Sequence, residues 1–280
     1  MNEWPKGAEW RMWDLHVHTP DSLQQNYSGT DPWDRYLDEL RNLPADLKVL
    51  GINDYWFLDG YKRVRAELDS GNLPNLDEVF PVVEVRCDTF GGVDGRLRRI
   101  NLHFICDPLL SADVIQQQLI NALRPKFRLS KEQQFADWSQ VPSKTSFEAL
   151  GQQIKASVPS ERLSDFSSDL IEGFNNVCVP FDLALAAVKG NTALSEHVLL
   201  AIGKTEWEAI KWNDQSIASK KTLINTCELV FTAAESREAV AAAHLKLQEN
   251  QVNSRLFDCS DAHTWASPAT RTDSVTFSPG

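Results

Sequence analysis

His16 and His18 stand two residues apart in WDLHVHT, and Asp261 and His263 stand two apart in DCSDAHT. Residues i and i+2 of a strand point to one face, so each pair converges if its segment is extended. Two further residues of ligand type, Glu84 in FPVVEVR and His103 in INLHFIC, lie within apolar β-forming runs. Imidazoles and carboxylates gathered at strand ends are what a divalent metal site needs. A glutamate between two cations can bridge them. Such a two-metal centre activates a water and neutralises charge on a phosphoryl oxygen, which is the chemistry of phosphoester hydrolysis. A metal-dependent hydrolase is therefore the leading expectation.

Each residue also has a plainer role. A lone Glu84 in an apolar strand would be costly to bury, and Arg86 on the same face is the competing partner to a metal. His197 and His244 fall in stretches that read as helical and are expected at the surface. Cys106, three residues after His103, could approach a metal, but cysteine is more often a small core hydrophobe.

The elements that would carry these residues alternate early in the chain. Strands are expected over 13–18, 49–53, 80–86 and 100–106. Helices are expected over 32–43, with Asp31 as N-cap and Pro32 at the first position, over about 60–70, and over about 112–124 after Ser111. A Gly-rich turn, GGVDGR, precedes the fourth strand. This alternation argues for a parallel sheet or barrel. Residues of about 125–170 are polar and Ser- and Gln-rich, and read as a helical insertion laid over the barrel. Strand-like runs return at 176–181 and 229–232. A helix over 235–248 and a last strand over 255–259 follow. The tail from 266 is rich in Pro, Ser and Thr and is expected to be loosely held.

The 280 residues, 42% hydrophobic and 24% charged, suit a soluble globular chain, and a single α/β barrel would fit this length. No window reaches the ~18 consecutive apolar residues that span a bilayer, so no membrane partner is expected. The opening MNEWPKGAEWR lacks the pattern of a secretory signal. The five cysteines are scattered through apolar runs without a CxxC pair, which points to reduced thiols and a cytoplasmic location. A net charge of −11 disfavours tight duplex binding by the whole surface. Two local basic clusters stand out, Arg96, Arg98 and Arg99, and Lys126, Arg128 and Lys131; solvated loops and helix starts are the plainer reading of both.

Taken in order, DLHVHT, GINDY, PVVEVR, NLHFI and SDAH resemble the motifs of the polymerase and histidinol phosphatase (PHP) domain, from residue 14 to 263. The resemblance implies a distorted (β/α)7 TIM-like barrel over residues 1–265 with the helical insertion. It implies that His16, His18, Glu84 and Asp261 hold a first metal, that Glu84 and His103 hold a second, and that His263 belongs to a third. It departs from the family at Asn53-Asp54-Tyr55, where Thr-Asp-His is usual. The histidine expected just beyond the first motif is not evident, with Asp21 and Gln24 in that stretch. A later histidine is also missing, where Asn175, Asn176 and Asp182 stand. One or two ions (Zn, Mn or Fe) are therefore expected, not three. Tyr55 and Asp21 are either remnants of the third site or, for Tyr55, a hydrogen-bonding partner of a substrate phosphate. Asp54, Asp261 or His263 would move protons, and Arg86 would hold a phosphate oxygen.

The opening residues, NDY and EVR are most similar to TrlF-type bacterial proteins, where such a domain precedes an ATPase, several in phage-defence contexts. This implies a nucleic acid or nucleotide substrate and an ATPase domain or subunit as partner; the phosphate-binding GxxxxGK[ST] loop is itself absent. The runner-up is a catalytically degenerate module whose metal is structural and whose role is partner binding or regulation.

Overall fold

The computed structural model describes residues 11–90, 99–130, 132–203, 207, 210–213, 217–234 and 236–265. The Gly-rich turn, Arg96, Arg98, Lys131 and the tail from 266 lie outside them. The chain forms an α/β fold around one mixed, nearly closed sheet. Its strands are β1 (Met12–Val17), β2 (Leu47–Asn53), β3 (Glu78–Phe90), β4 (Arg99–Cys106), β8 (Val198–Ile202), β9 (Leu229–Thr232) and β10 (Leu256–Asp258), in that spatial order. Helices α1 (Pro32–Arg41) and α2 (Asp59–Asp69) connect the first three strands. Asp31 caps α1 by accepting from the Asp34 N–H, with Pro32 opening the helix. Helices α7 (Ile217–Thr226) and α8 (Arg237–Glu249) connect the last three.

All neighbours pair in parallel except β4, which runs antiparallel to both β3 and β8. The sheet is thus less uniformly parallel than the early alternation predicts, because β4 runs back along β3. The ring approaches closure where the segment after β10 meets β1. Val17 bridges Ala262 in parallel, and the His18 N–H donates to the Ala262 carbonyl at 3.1 Å. The buried Asp14 carboxylate reinforces this seam by accepting from Ser260 N–H and His16 N–H, each at 3.2 Å.

Strand alternation sorts the side chains. Val83, Val85 and Cys87 of β3, with Ile100, Leu102, Phe104 and Cys106 of β4, face an outer core shared with the insertion's helices. Cys106 thus points away from His103, as the odd spacing between them requires. On the inner face a small cluster of Leu15, Val49, Val82, Ile105, Ala201, Phe231 and Cys259 fills part of the ring. Polar residues take the rest.

Three local readings need correction. β8 lies where the sequence reads as helical: VLLAI is an unpunctuated apolar run with neither period, so only its place between β4 and β9 settles it as a strand. His197 precedes it in a turn, within 3.0 Å of Asp107. The helix expected over 112–124 is α3 (Ala112–Val114) continued by a π turn and a 3-10 turn. The run 176–181 yields only the two-residue strand β7 (Val177–Cys178), after which α6 (Phe181–Lys189) begins.

The polar segment is partly helical, as expected, in α4 (Lys144–Ala156) and α5 (Asp169–Asn175). It also carries a small sheet of β5 (Lys126–Phe127), β6 (Ala136–Asp137) and β7, in the order β6-β5-β7. A bond from Val179 N–H to the Arg86 carbonyl, 2.7 Å, ties this unit to β3.

Candidate metal centre

Six residues from distant parts of the chain meet at one end of the ring. His16 lies near the end of β1 and His18 directly after it, Glu84 and His103 are cross-strand partners on β3 and β4, and Asp261 and His263 follow β10. Their contacts centre on two oxygens. Asp261 Oδ1 lies 3.1 Å from His16 Nε2, 3.4 Å from His18 Nε2 and 3.0 Å from His263 Nε2. Glu84 Oε2 lies 3.4 Å from both His16 Nε2 and His103 Nε2. Two groups could each hold a metal ion, His16 with Glu84 and His103, and His16 with His18 and Asp261.

Local backbone makes this convergence feasible. Between Asp14 and Val17 the β1–β2 pairing slips, three steps of β1 matching two of β2. Such a bulge re-aims side chains. It lets Leu15 join the inner cluster while His16 also reaches Phe231, ring centroids 5.8 Å apart. Gly51 lies against the bulge. A Cβ there would sit 2.5 Å from the Leu15 carbonyl oxygen, so only glycine lets the strands approach this closely. Asp261 and Tyr55 adopt left-handed backbone, φ 50° and 61°. Aspartate tolerates this region, whereas an aromatic residue there is strained and must be held by its surroundings.

A donor inventory fixes the ring nitrogens. Ser22 Oγ donates to the Gln24 carbonyl at 3.2 Å, so it can only accept from His18 Nδ1, 3.0 Å away. The same carbonyl accepts from His263 Nδ1 at 2.8 Å. Both rings then aim Nε2 at the carboxylates. Burial, reinforced by the neighbouring His16, pushes His18 down to about 4, so it stays neutral. Its lone pair faces His16 Nε2 at 3.1 Å and a carboxylate oxygen.

Burial opposes charge on Glu84, yet the imidazoles of His103 and His16 hold it well below the ordinary carboxylate range. Two amides orient it, Asn53 Nδ2 donating to Oε2 at 2.6 Å and Asn101 Nδ2 to Oε1 at 2.5 Å. Buried His16 Nδ1 and both ring nitrogens of His103 have no hydrogen-bond partner among the described residues. Buried polar atoms are seldom left so. Acceptors aimed at one another, orphaned imidazole nitrogens and a mixed N/O donor set together fit a divalent cation.

The other sequence candidates sit around this cluster. Asp54 does not face it. Its carboxylate accepts from Thr19 N–H at 2.9 Å and Thr19 Oγ1 at 2.8 Å, just beyond His18, and burial raises it to about 7. Asp21 accepts from Trp33 Nε1 at 3.0 Å. The Tyr55 ring lies 5.0 Å from that of His18, and its hydroxyl donates to Gln24 Oε1 at 3.2 Å. Arg86 donates from Nη1 to Asn175 Oδ1 at 2.6 Å and lies over the Phe174 ring. The sequence marks Asn53 only as a departure from Thr-Asp-His, and gives no ligand-type signal for Ser22. Asn101 carried a signal, two residues before His103 on the same strand face. Compared with protein-family models and with curated proteins, the chain matches none.

Proposed function

We propose that this chain is a metal-dependent phosphoesterase acting on phosphodiester or phosphomonoester bonds of nucleic acid or nucleotides. The observation that carries it is three imidazole Nε2 atoms grouped within 3.4 Å of a single Asp261 oxygen, beside a bridging-type Glu84. His16, His18, Glu84 and Asp261 would hold one ion, and Glu84 with His103 a second. When bound, such ions supply a water activated near neutral pH and positive charge for a phosphoryl oxygen. Arg86, steadied by Asn175 and Phe174, binds a phosphate oxygen with its planar fork. His263, at the more open side of the cluster, can take or return a proton at Nε2. Asp54 positions the loop after His18 through Thr19. The motif order supports a PHP-type (β/α)7 ring, with residues 1–265 as one domain, working in the cytoplasm beside an ATPase domain or subunit.

Two observations favour the second reading, a metal-holding module for partner binding or regulation. Both Glu84 oxygens already accept from amides, and Tyr55 stands where an imidazole is usual. The deciding experiment measures bound metal and aryl phosphodiester cleavage in protein purified without chelator. His16→Ala and Asp261→Asn should lose both, and Arg86→Ala should keep the metal and cleave poorly. Wild-type protein that binds one or two ions tightly yet cleaves no phosphoester would establish the second reading instead.

A further inference from the structure

Three arginines from separate elements gather on one short piece of the insertion. Arg86 on β3 bonds the Asn175 side chain, Arg99 on β4 donates from Nη1 to the Val177 carbonyl at 3.2 Å, and Arg128, just after β5, donates its backbone N–H to the Asn176 carbonyl at 3.2 Å. The guanidinium groups of Arg99 and Arg128 both lie on the half-buried Phe135 ring, 4.8 and 5.0 Å from its centroid. Like charges so gathered repel. Burial, then the charges of Arg128 and Arg86, push Arg99 down to about 10. Lys126 adds a fourth cation, beside Asp88. In a chain of net charge −11 this is a local concentration of positive charge, the setting that attracts a polyanion.

The cluster is continuous with the metal centre. Glu84 and Arg86 share a face of β3, and His103, Asn101 and Arg99 share a face of β4, with Glu84 opposite His103 and Arg86 opposite Asn101. The cations therefore begin one step beyond the carboxylate and lead outward. Cations in series beside the carboxylate suit a phosphate backbone, and the guanidinium groups on Phe135, with the ring itself, offer stacking surfaces for bases.

We infer that Arg86, Arg99 and Arg128 with Phe135 form a track that binds single-stranded nucleic acid and leads it to the histidine cluster. This rests on the phosphoesterase reading for its purpose, but its binding can be tested separately. The full chain is titrated into labelled oligothymidylate of about 12 nucleotides over a range of salt, with the thymidine dinucleotide as the short control. The longer strand should bind about tenfold more tightly, and Arg99→Gln and Arg128→Gln should each lower the log–log salt slope by about 0.7, as loss of one phosphate contact requires. Cleavage of a small aryl diester should be unchanged in both. Should Arg99→Gln fail to fold, Arg128→Gln decides alone, with its melting temperature as the control. Equal affinity for long and short strands, unchanged slopes, or equally tight binding of inorganic polyphosphate would overturn the track. Aryl diester cleavage without strand binding overturns the track and leaves the phosphoesterase. Strand binding through these arginines with no ester cleaved does the reverse.

Discussion

Glu84 keeps its charge in a buried site because two amides and two imidazoles face it. Asn101→Ala would free one carboxylate oxygen while removing little from the core. Partners that orient a ligand typically contribute about 10–100-fold in metal affinity, and calorimetric titration of the variant should show a loss of that size with the fold intact. Unchanged affinity would remove Asn101 from the site. Asp54 yields a pH dependence. Its folded pKa of about 7 exceeds the ordinary 3.8, through burial and the nearby Asp21 and Asp59 and against the two Thr19 bonds. The folded state thus holds the proton more tightly than the unfolded one. That stability is complete below about pH 4 and is lost as pH rises through about 7. Asp54→Asn cannot ionise, so urea unfolding should show wild type losing ground to the variant across this window. Parallel curves would refute it.

At the scale of elements, the β1 bulge and the glycine beneath it set where His16 and His18 point. Gly51→Ala would force a methyl into the Leu15 backbone. Overpacking of this kind costs about 1–3 kcal/mol, so the melting temperature should fall by roughly 3–10 °C, with metal occupancy falling too. A variant as stable and as metal-rich as wild type would show that the strands can part freely. The elements most legible in the sequence carry their own punctuation. Asp31-Pro32 starts α1, and alternation along FPVVEVR and INLHFIC separates Glu84 and His103 from the outer apolar residues. β8 carries neither alternation nor caps, so its identity comes from its neighbours. The same holds for Asn53, which reaches Glu84 only through the β2–β3 register, Asn53 opposite Val82. The short strands of the insertion pair only two residues each, too few to leave a periodic signal.

Over the whole molecule, the cluster unites β1, β3, β4 and the segment after β10, so a bound ion should stabilise the entire fold. An ion at 100-fold its dissociation constant contributes about 2.7 kcal/mol. Chelation should therefore lower the melting temperature by several degrees and zinc or manganese should restore it, whereas His16→Ala should respond to neither. No helix among the described residues is long and apolar enough to cross a membrane.

The two ligand groups differ in when they can exist. His16, Glu84 and His103 are all present once residue 103 has been made, whereas the group with His18 waits for Asp261. Along the ribosome's direction of travel, the first pocket has its residues early and the second arrives last, at the seam where Ala262 meets β1. A chain halted after β9 would carry half a centre. The two halves can share His16 only after the segment beyond the last strand has docked against the first.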